Sequence, residues 1–348
     1  MARIGVLSNP NSGKNRRRPW RARELAEAAG VHGLVRQTKD TDELTCVLEE
    51  FFDAGCEYWL CDGGDGTLHW MLSEGDRIAR RRGVSLPQVL PANGGSIDFV
   101  AHKAGIRGQA TDLLAKLAED LDRDQPPPTV TLDTLRIGGR TRDGELFERI
   151  GFAAAIGGIA QRFFEKLYAT GPVDPSKIAM VLANSVGSLA LGRAPLLHRV
   201  LPDHVRTFAD EIFAPTPAHV EIDGVPLPFQ EFASLQVGSI DISLGGVVRT
   251  FRHATRRGVL HGQAACMSPL GVTANLPNIV MGTRIWGRRV FDDPMRTMDV
   301  RTLDPKHGPW LDPVIDGEMF FGLAQLRVER GPALRVPCMT DLARRRAA

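Results

Sequence analysis

The chain has 348 residues, 43% hydrophobic and 24% charged, which is enough apolar material for more than one core and excludes a small stapled scaffold or a globally disordered chain. Lys and Arg number 43 against 41 Asp and Glu, a formal charge of +2 that argues against a protein coating nucleic acid, so no nucleic acid is expected as a partner. Five cysteines at 46, 56, 61, 266 and 338 form no CxxC pair, and MARIGVLSNPNSGK reads as a strand and a loop rather than a secretory leader, so a reducing, cytoplasmic setting is expected.

Strand-like apolar runs alternate with helical patterns up to about residue 105, the signature of an α/β domain with a parallel sheet. Strands are predicted over 3–8, 34–38, 58–61 and 88–91, helices over 18–29, 42–54 and 67–81, and a helical turn over 97–103. The run DLDRDQPPP at 120–128 forbids a continuing helix and marks a linker, giving an N-terminal domain of residues 1–125. Beyond it, strand-like segments over 129–137, 146–152, 211–222, 234–242 and 258–267 predict a mainly antiparallel β-sandwich over 126–324. One helical stripe, Ile178, Val181, Leu182, Val186 and Leu189, interrupts them, and the small, basic tail 339–348 is expected to fray. The charge-free stretch 178–192 is too short and too polar to span a bilayer.

The most informative string is Asp62-Gly63-Gly64-Asp65-Gly66-Thr67, set between a strand and a helix. Its glycines are expected to let the backbone approach a bulky ligand and take positive φ, while the helix N-terminus offers free N–H groups to an anion. Asp65 would repel phosphates unless a divalent cation stood between them, so Asp65 is the expected metal ligand of a magnesium–nucleotide. The string is not a Rossmann fingerprint, since the third glycine would fall on His69. Two further loops follow strands: Asn9-Pro10-Asn11-Ser12-Gly13-Lys14, which fails as a Walker A loop, and Pro91-Ala92-Asn93-Gly94-Gly95-Ser96-Ile97-Asp98-Phe99, where Ser96 suits a helix N-cap. Loops at the carboxyl ends of parallel strands converge on one crevice.

The ordered set NPNSGK, GGDGT and PANGGSIDF resembles the diacylglycerol kinase catalytic domain family, including bacterial lipid kinases and sphingosine kinases, and Ile315-Asp316-Gly317-Glu318 resembles that family's DGE motif. The resemblance implies an NAD kinase/diacylglycerol kinase-like α/β domain, a cleft between it and the β-sandwich, closing strands near 325–338 that return to the first domain, and transfer of the ATP γ-phosphate to a lipid hydroxyl of diacylglycerol type. It implies that Asn9, Asn11, Thr38, Gly63, Gly64, Gly66, Thr67, Ser96 and Asp98 serve the nucleotide, and that Asp65 organises Mg²⁺ and phosphate. Glu318, ahead of Asp316, would take the proton of the acceptor hydroxyl, although DGE as a bare sequence is an ordinary turn between strands.

Ile97 stands where the family has Asn, which asks whether Asn93 compensates, and Arg256-Arg257-Gly258 stands where some bacterial members place acids around a secondary metal, so no metal is expected there. Arginines at 16, 17, 18, 21 and 23 and at 80, 81 and 82 read as solvated helix faces, with peripheral contact to an anionic membrane at its inner face as the functional alternative. No HExxH, GxSxG or Cys–His pairing is present for zinc or covalent catalysis. Two rival readings stay open: an NAD kinase, which shares GGDGT, and a nucleotide- or lipid-binding protein without turnover, motivated by Ile97.

Overall fold

The computed structural model describes residues 3–16, 18–95, 98–168, 176–177, 180–181, 183–185, 187, 208, 210–244 and 248–338. Most of the helical stripe at 178–189 and the tail 339–348 lie outside the described residues. The chain forms two compact units, one of residues up to Thr134 with Arg149–Gly151 and the segment from Pro332, the other of Leu135–Glu148 and Phe152–Gly331.

The first unit is built on a four-stranded sheet in the order β2-β1-β3-β4, with β1 Ile4–Ser8, β2 Gly33–Gln37, β3 Tyr58–Asp62 and β4 Gln88–Pro91. All pairings are parallel, with Ile4 opposite both Gly33 and Tyr58, and Tyr58 opposite Gln88. The central strands β1 and β3 are buried at every residue, as expected of a parallel sheet covered on both faces. Helices α1 (Arg21–Ala29), α2 (Thr41–Asp53), α3 (Asp65–Arg82), α4 (Phe99–Ala104) and α5 (Ala110–Asp122) follow the strands. α2 starts where Asp40 accepts the Glu43 amide, and α3 stops at Gly83, whose φ of 67° only a residue without a Cβ takes readily.

Several boundaries differ from the sequence reading. The helix expected from 67 starts at Asp65, so the acid and Gly66 lie in its first turn rather than in the loop. α5 has no counterpart among the elements expected from the sequence, although Leu113, Leu114, Leu117, Ala118 and Leu121 form its buried stripe. The single strand expected over 129–137 is two: β5 (Thr129–Leu132) pairs with β22 (Leu334–Pro337) in the first unit, and β6 (Leu135–Thr141) belongs to the second. The strand expected over 211–222 is shorter, because the chain is helical at 210–212 and strand only at Thr216–Pro217 (β9) and His219–Ile222 (β10).

Besides two short ribbons, β12 (Glu231–Phe232) paired with β9 and β14 (Ile242–Leu244) paired with β15 (Val248–Thr250), the second unit holds two six-stranded sheets. One runs β11-β10-β18-β21-β6-β7, with β7 Leu146–Gly151, β11 Val225–Pro226, β18 Thr297–Arg301 and β21 Leu323–Arg330; the other runs β17-β16-β13-β8-β19-β20, with β8 Ala153–Gly158, β13 Ser234–Gly238, β16 Leu260–Ala265, β17 Val290–Met295, β19 Val314–Ile315 and β20 Glu318–Met319. Neighbours in the second sheet pair antiparallel throughout. Ile137, Val220, Val300 and Leu326 of the first sheet and Ile156, Val237, Leu260 and Ile315 of the second share one apolar cluster, which is how two half-buried sheets satisfy their inner faces. β21 shows the alternation at Leu326 and Val328, buried on either side of the exposed Arg327, while Leu323 is also buried because the register shifts between Leu323 and Gln325. Among the described residues, no helix is long and apolar enough to cross a membrane.

Candidate active site

In the first unit β1 leads outward to β2 on one side, and the chain then returns to place β3 on the other. The carboxyl edge between β1 and β3 is therefore the topological switch point, where an open parallel sheet leaves a crevice between diverging loops. Asn9 follows β1 and the glycine loop follows β3, and the two meet: Asn9 Nδ2 donates to Thr67 Oγ1 at 2.9 Å, and the Asn9 amide donates to the Asp62 carbonyl at 3.1 Å. Asn9 Oδ1 in turn accepts the Asn11 amide at 2.8 Å. Thr38, the residue after β2, is buried, its amide bonded to the Ser8 carbonyl at 3.3 Å.

The glycines of the loop serve close approach. Gly64 caps α3 at φ −92°, and neither Gly63 nor Gly66 has positive φ, which corrects the expectation of left-handed backbone there. A Cβ on Gly64 would lie 2.9 Å from Gly95 Cα, one on Gly95 2.5 Å from Gly64 Cα, and one on Gly94 2.8 Å from the Gly63 carbonyl oxygen. The second and third glycine loops thus touch backbone to backbone, a spacing that no side chain fits. A Cβ on Gly63 would strike the Thr67 side chain at 2.5 Å. Gly64 offers α3 no side-chain cap, so the first-turn amides of an 18-residue helix face the switch point with the positive end of its dipole.

The two acids expected at the site are both engaged. Asp65 Oδ2 and Oδ1 accept the amides of Phe99 and Val100 at 3.1 and 3.3 Å, so the first acid of α3 caps α4. That role was expected of Ser96, which lies outside the described residues, as does Ile97; the residue immediately before α4 is Asp98, at φ 52°. Asp98 is buried, with Oδ1 accepting the Gly95 amide at 2.8 Å and Oδ2 accepting Lys14 Nζ at 3.1 Å. Lys14 Nζ also donates to the Asn93 carbonyl at 2.6 Å, tying the first loop to the third. Asn93 Nδ2 donates at 3.3 Å to the carbonyl of Gly108.

Beneath the loops lies a cluster that sequence reasoning did not assign. Asp62 is wholly buried and accepts from Arg21 Nε at 3.0 Å and Nη2 at 2.7 Å, from Asn15 Nδ2 at 3.0 Å and from Ser8 Oγ at 3.0 Å. Burial works against the charge of Arg21, and the hydrogen bond and attraction of Asp62 outweigh it and raise its pKa. The sequence places Arg21 in a solvated basic run, yet it shares the buried stripe of α1 with Leu25 and Ala29, and that spacing of four residues is the signal for its burial. Burial drives the Cys61 thiol well above its usual range, and the charges of Asp62, Asp65 and Asp98 add to this, so Cys61 is a neutral filler and not a nucleophile.

For a divalent cation, no group of three or more His, Cys, Asp or Glu side chains is assembled among the described residues. Mg²⁺ is commonly held through one or two carboxylates plus substrate phosphates and waters. A carboxylate offers about four lone-pair sites, so Asp65, half-buried at the N-terminus of α3, can hold the two α4 amides and still fit that mode as a single side-chain anchor for an ion that arrives with a nucleotide.

Residues 3–125 match the diacylglycerol kinase catalytic domain. The match spans the sheet and the helices through α5 and contains all three loops. No curated protein matches the chain. Among solved structures, a diacylglycerol kinase from Bacillus anthracis str. Sterne superposes with a TM-score of 0.56 at 13% identity over 96% of each chain. Yeast NADH kinase complexed with NADH superposes with a TM-score of 0.50 at 10% identity, over 99% of this chain and 86% of that one. Identities this low show a shared fold: a parallel α/β domain followed by mostly antiparallel sheets.

The second unit carries the remaining expected residues. Ile315 and Glu318 pair across a two-residue hairpin whose turn residues, Asp316 at φ 49° and Gly317 at φ 91°, are both left-handed, the Asp-Gly pattern of a tight hairpin. Asp316 is buried and its carboxylate accepts the amides of Phe152 at 2.9 Å and Ala153 at 2.9 Å, pinning the start of β8. Glu318, on β20, is half-buried. Of the two candidate bases, Asp316 is thus already committed to holding the hairpin.

Proposed function

We propose that this protein is an ATP-dependent lipid kinase that transfers the γ-phosphate to a hydroxyl of a diacylglycerol-like acceptor. The observation that carries the reading is the backbone-to-backbone closure of the Gly63–Gly64 and Gly94–Gly95 loops at the switch point, with Asn9 bonded to Thr67 across it. Loops closed this tightly leave their amides and the N-terminus of α3 as a fixed, preorganised positive surface, which is what phosphoryl transfer requires more than covalent help. On this reading Asn9, Asn11, Thr38, Gly63, Gly64, Gly66, Thr67, Ser96 and Asp98 serve the nucleotide, and Lys14 adds a charge beside the third loop. Asp65 would anchor Mg²⁺, which when bound neutralises phosphate charge.

In the reaction the acceptor oxygen attacks the γ-phosphorus, the bond to the β–γ bridging oxygen breaks, ADP leaves with that electron pair, and the hydroxyl proton passes to Glu318. Glu318 is favoured because Asp316 holds the Phe152 and Ala153 amides. The likeness to yeast NADH kinase supports a second reading, phosphorylation of a nicotinamide dinucleotide on the same α/β frame. Incubation with labelled ATP and Mg²⁺, with a panel of diacylglycerol, sphingoid-base and glycerophospholipid micelles or with NAD, separates them. Label is expected in a lipid, and Glu318→Gln is expected to abolish transfer while ATP binding by calorimetry persists. Label found only in NADP overturns the lipid reading, and ATP binding without transfer to any acceptor favours a binding protein.

A further inference from the structure

Between Asp241 and Asp292 the sequence has no acidic residue and no lysine, yet it has seven arginines, in a chain whose charges otherwise nearly cancel. The later part of this stretch folds in the second unit as two short helices, Pro269–Ala274 and Leu276–Met281, and a loop leading into β17. The second helix, LPNIVM, is mostly apolar and none of its residues is buried. Leu270, Met281 and Trp286 are 62%, 61% and 73% exposed. Arg284, Arg288 and Arg289 are exposed on the same loop, and no ion pair engages them among the described residues.

These side chains are held out by a built frame. Asn275, buried at the junction of the helices, donates to the Trp286 carbonyl at 3.0 Å and accepts the Trp286 amide at 2.8 Å. Gly282 ends the second helix at φ 64°, Thr283 Oγ1 donates to Asn278 Oδ1 at 3.0 Å, and the Ile285 amide donates to the buried Asp292 at 2.8 Å. Met267 lies near both Gly271 and Gly287, which brings the loop against the first helix. The backbone is thus pinned on its inner side, and the large apolar groups and unpaired guanidinium groups are left outside.

We infer that this corner is a docking surface for an anionic lipid bilayer, with Leu270, Met281 and Trp286 entering the interface and Arg284, Arg288 and Arg289 meeting the headgroups. Exposed apolar groups flanked by unpaired cations match a surface that is negative outside and apolar beneath, and Trp sits well at that boundary. A nucleic acid would use the arginines and leave the apolar side chains in water. The arginine runs singled out in the sequence differ in kind, since Arg80, Arg81 and Arg82 pair with Asp76, Glu49 and Asp53, and Arg23 pairs with Glu27.

Sedimentation with phosphatidylglycerol–phosphatidylcholine vesicles at low and high salt tests this whether or not the protein proves to be a kinase. The full chain is expected to sediment with anionic vesicles at low salt, and only weakly at high salt or with pure phosphatidylcholine. The double variant Trp286→Ala, Met281→Ala and the triple variant Arg284→Gln, Arg288→Gln, Arg289→Gln should each lose about tenfold or more in partitioning with unchanged circular dichroism, while Arg80→Gln, Arg81→Gln, Arg82→Gln should not. Failure of the wild type to sediment at low salt, or corner variants that sediment like it, overturns the proposal. So does a self-association in the ultracentrifuge that Trp286→Ala abolishes without altering vesicle binding.

Discussion

Gly95→Ala tests whether the two glycine loops must touch. The added Cβ would lie 2.5 Å from Gly64 Cα and 2.7 Å from Asp98 Oδ1, against the 3.4–4 Å of ordinary contact, so the loops must part by about 1 Å. Gly64 is backbone and cannot rotate away, and moving Asp98 stretches its bonds to the Gly95 amide and to Lys14, which are 2.8 and 3.1 Å long. Overpacking of this size costs about 1–3 kcal/mol, and a shift of about 1 Å in a positioning loop costs on the order of a hundredfold in rate. Urea denaturation, calorimetry with Mg-ATP and the lipid kinase assay read the three consequences: a lower midpoint, binding weakened about tenfold, and transfer reduced about a hundredfold. Gly138→Ala is the control, because nothing lies within 4 Å of its Cβ, and it should stay within about 0.5 kcal/mol of wild type. If Gly95→Ala matches that control in stability and nucleotide binding, the closure of the loops is not what organises the site.

Asp62→Asn should destabilise the first unit by about 3 kcal/mol, because it removes the buried counter-charge of the Arg21 guanidinium and leaves only the partly exposed Glu24 at 3.5 Å; a denaturation midpoint shifted by less than the equivalent of about 1 kcal/mol refutes that role. In the second unit, burial alone would raise the Asp292 carboxyl, but hydrogen bonds from His261, the Ile285 amide and Arg252 hold it at about 2 against the usual 3.8. A carboxyl lowered on folding contributes stability that is present above about pH 4 and lost as pH falls from there toward 2, here about 2 kcal/mol. Denaturation midpoints measured between pH 6 and pH 2.5 should therefore fall less steeply for Asp292→Asn than for wild type, and equal slopes refute the assignment.

How much of this was legible in the sequence depended on whether the deciding contacts are local. Short apolar runs alternating with helical stripes identify every strand of the first sheet, because a run of four or five mostly apolar residues and a 3.6-residue period are both properties of short windows. The three glycine strings are equally local, and their shared strand-to-loop position was enough to bring Asn9, Gly63, Gly64, Asp65, Thr67 and Asp98 to one site. The helix at 110–122 went unread although its stripe is regular, because the linker signal at 120–128 overlaps its end.

Other features belong to the tertiary structure alone. Asp65 accepts the first amides of α4, Asp98 faces Lys14, and Asp62 is the partner of Arg21, pairings between residues far apart in the chain that no local pattern encodes. Nor does an arginine run reveal which members are paired: Arg21 is buried against a carboxylate, while Arg284, Arg288 and Arg289 look into solvent beside exposed apolar side chains. Residue type and spacing dictate which groups are present and which face of a helix or strand they share. What each charge meets is decided only when distant strands and loops are brought together, because burial and pairing are properties of the packed chain and not of its order.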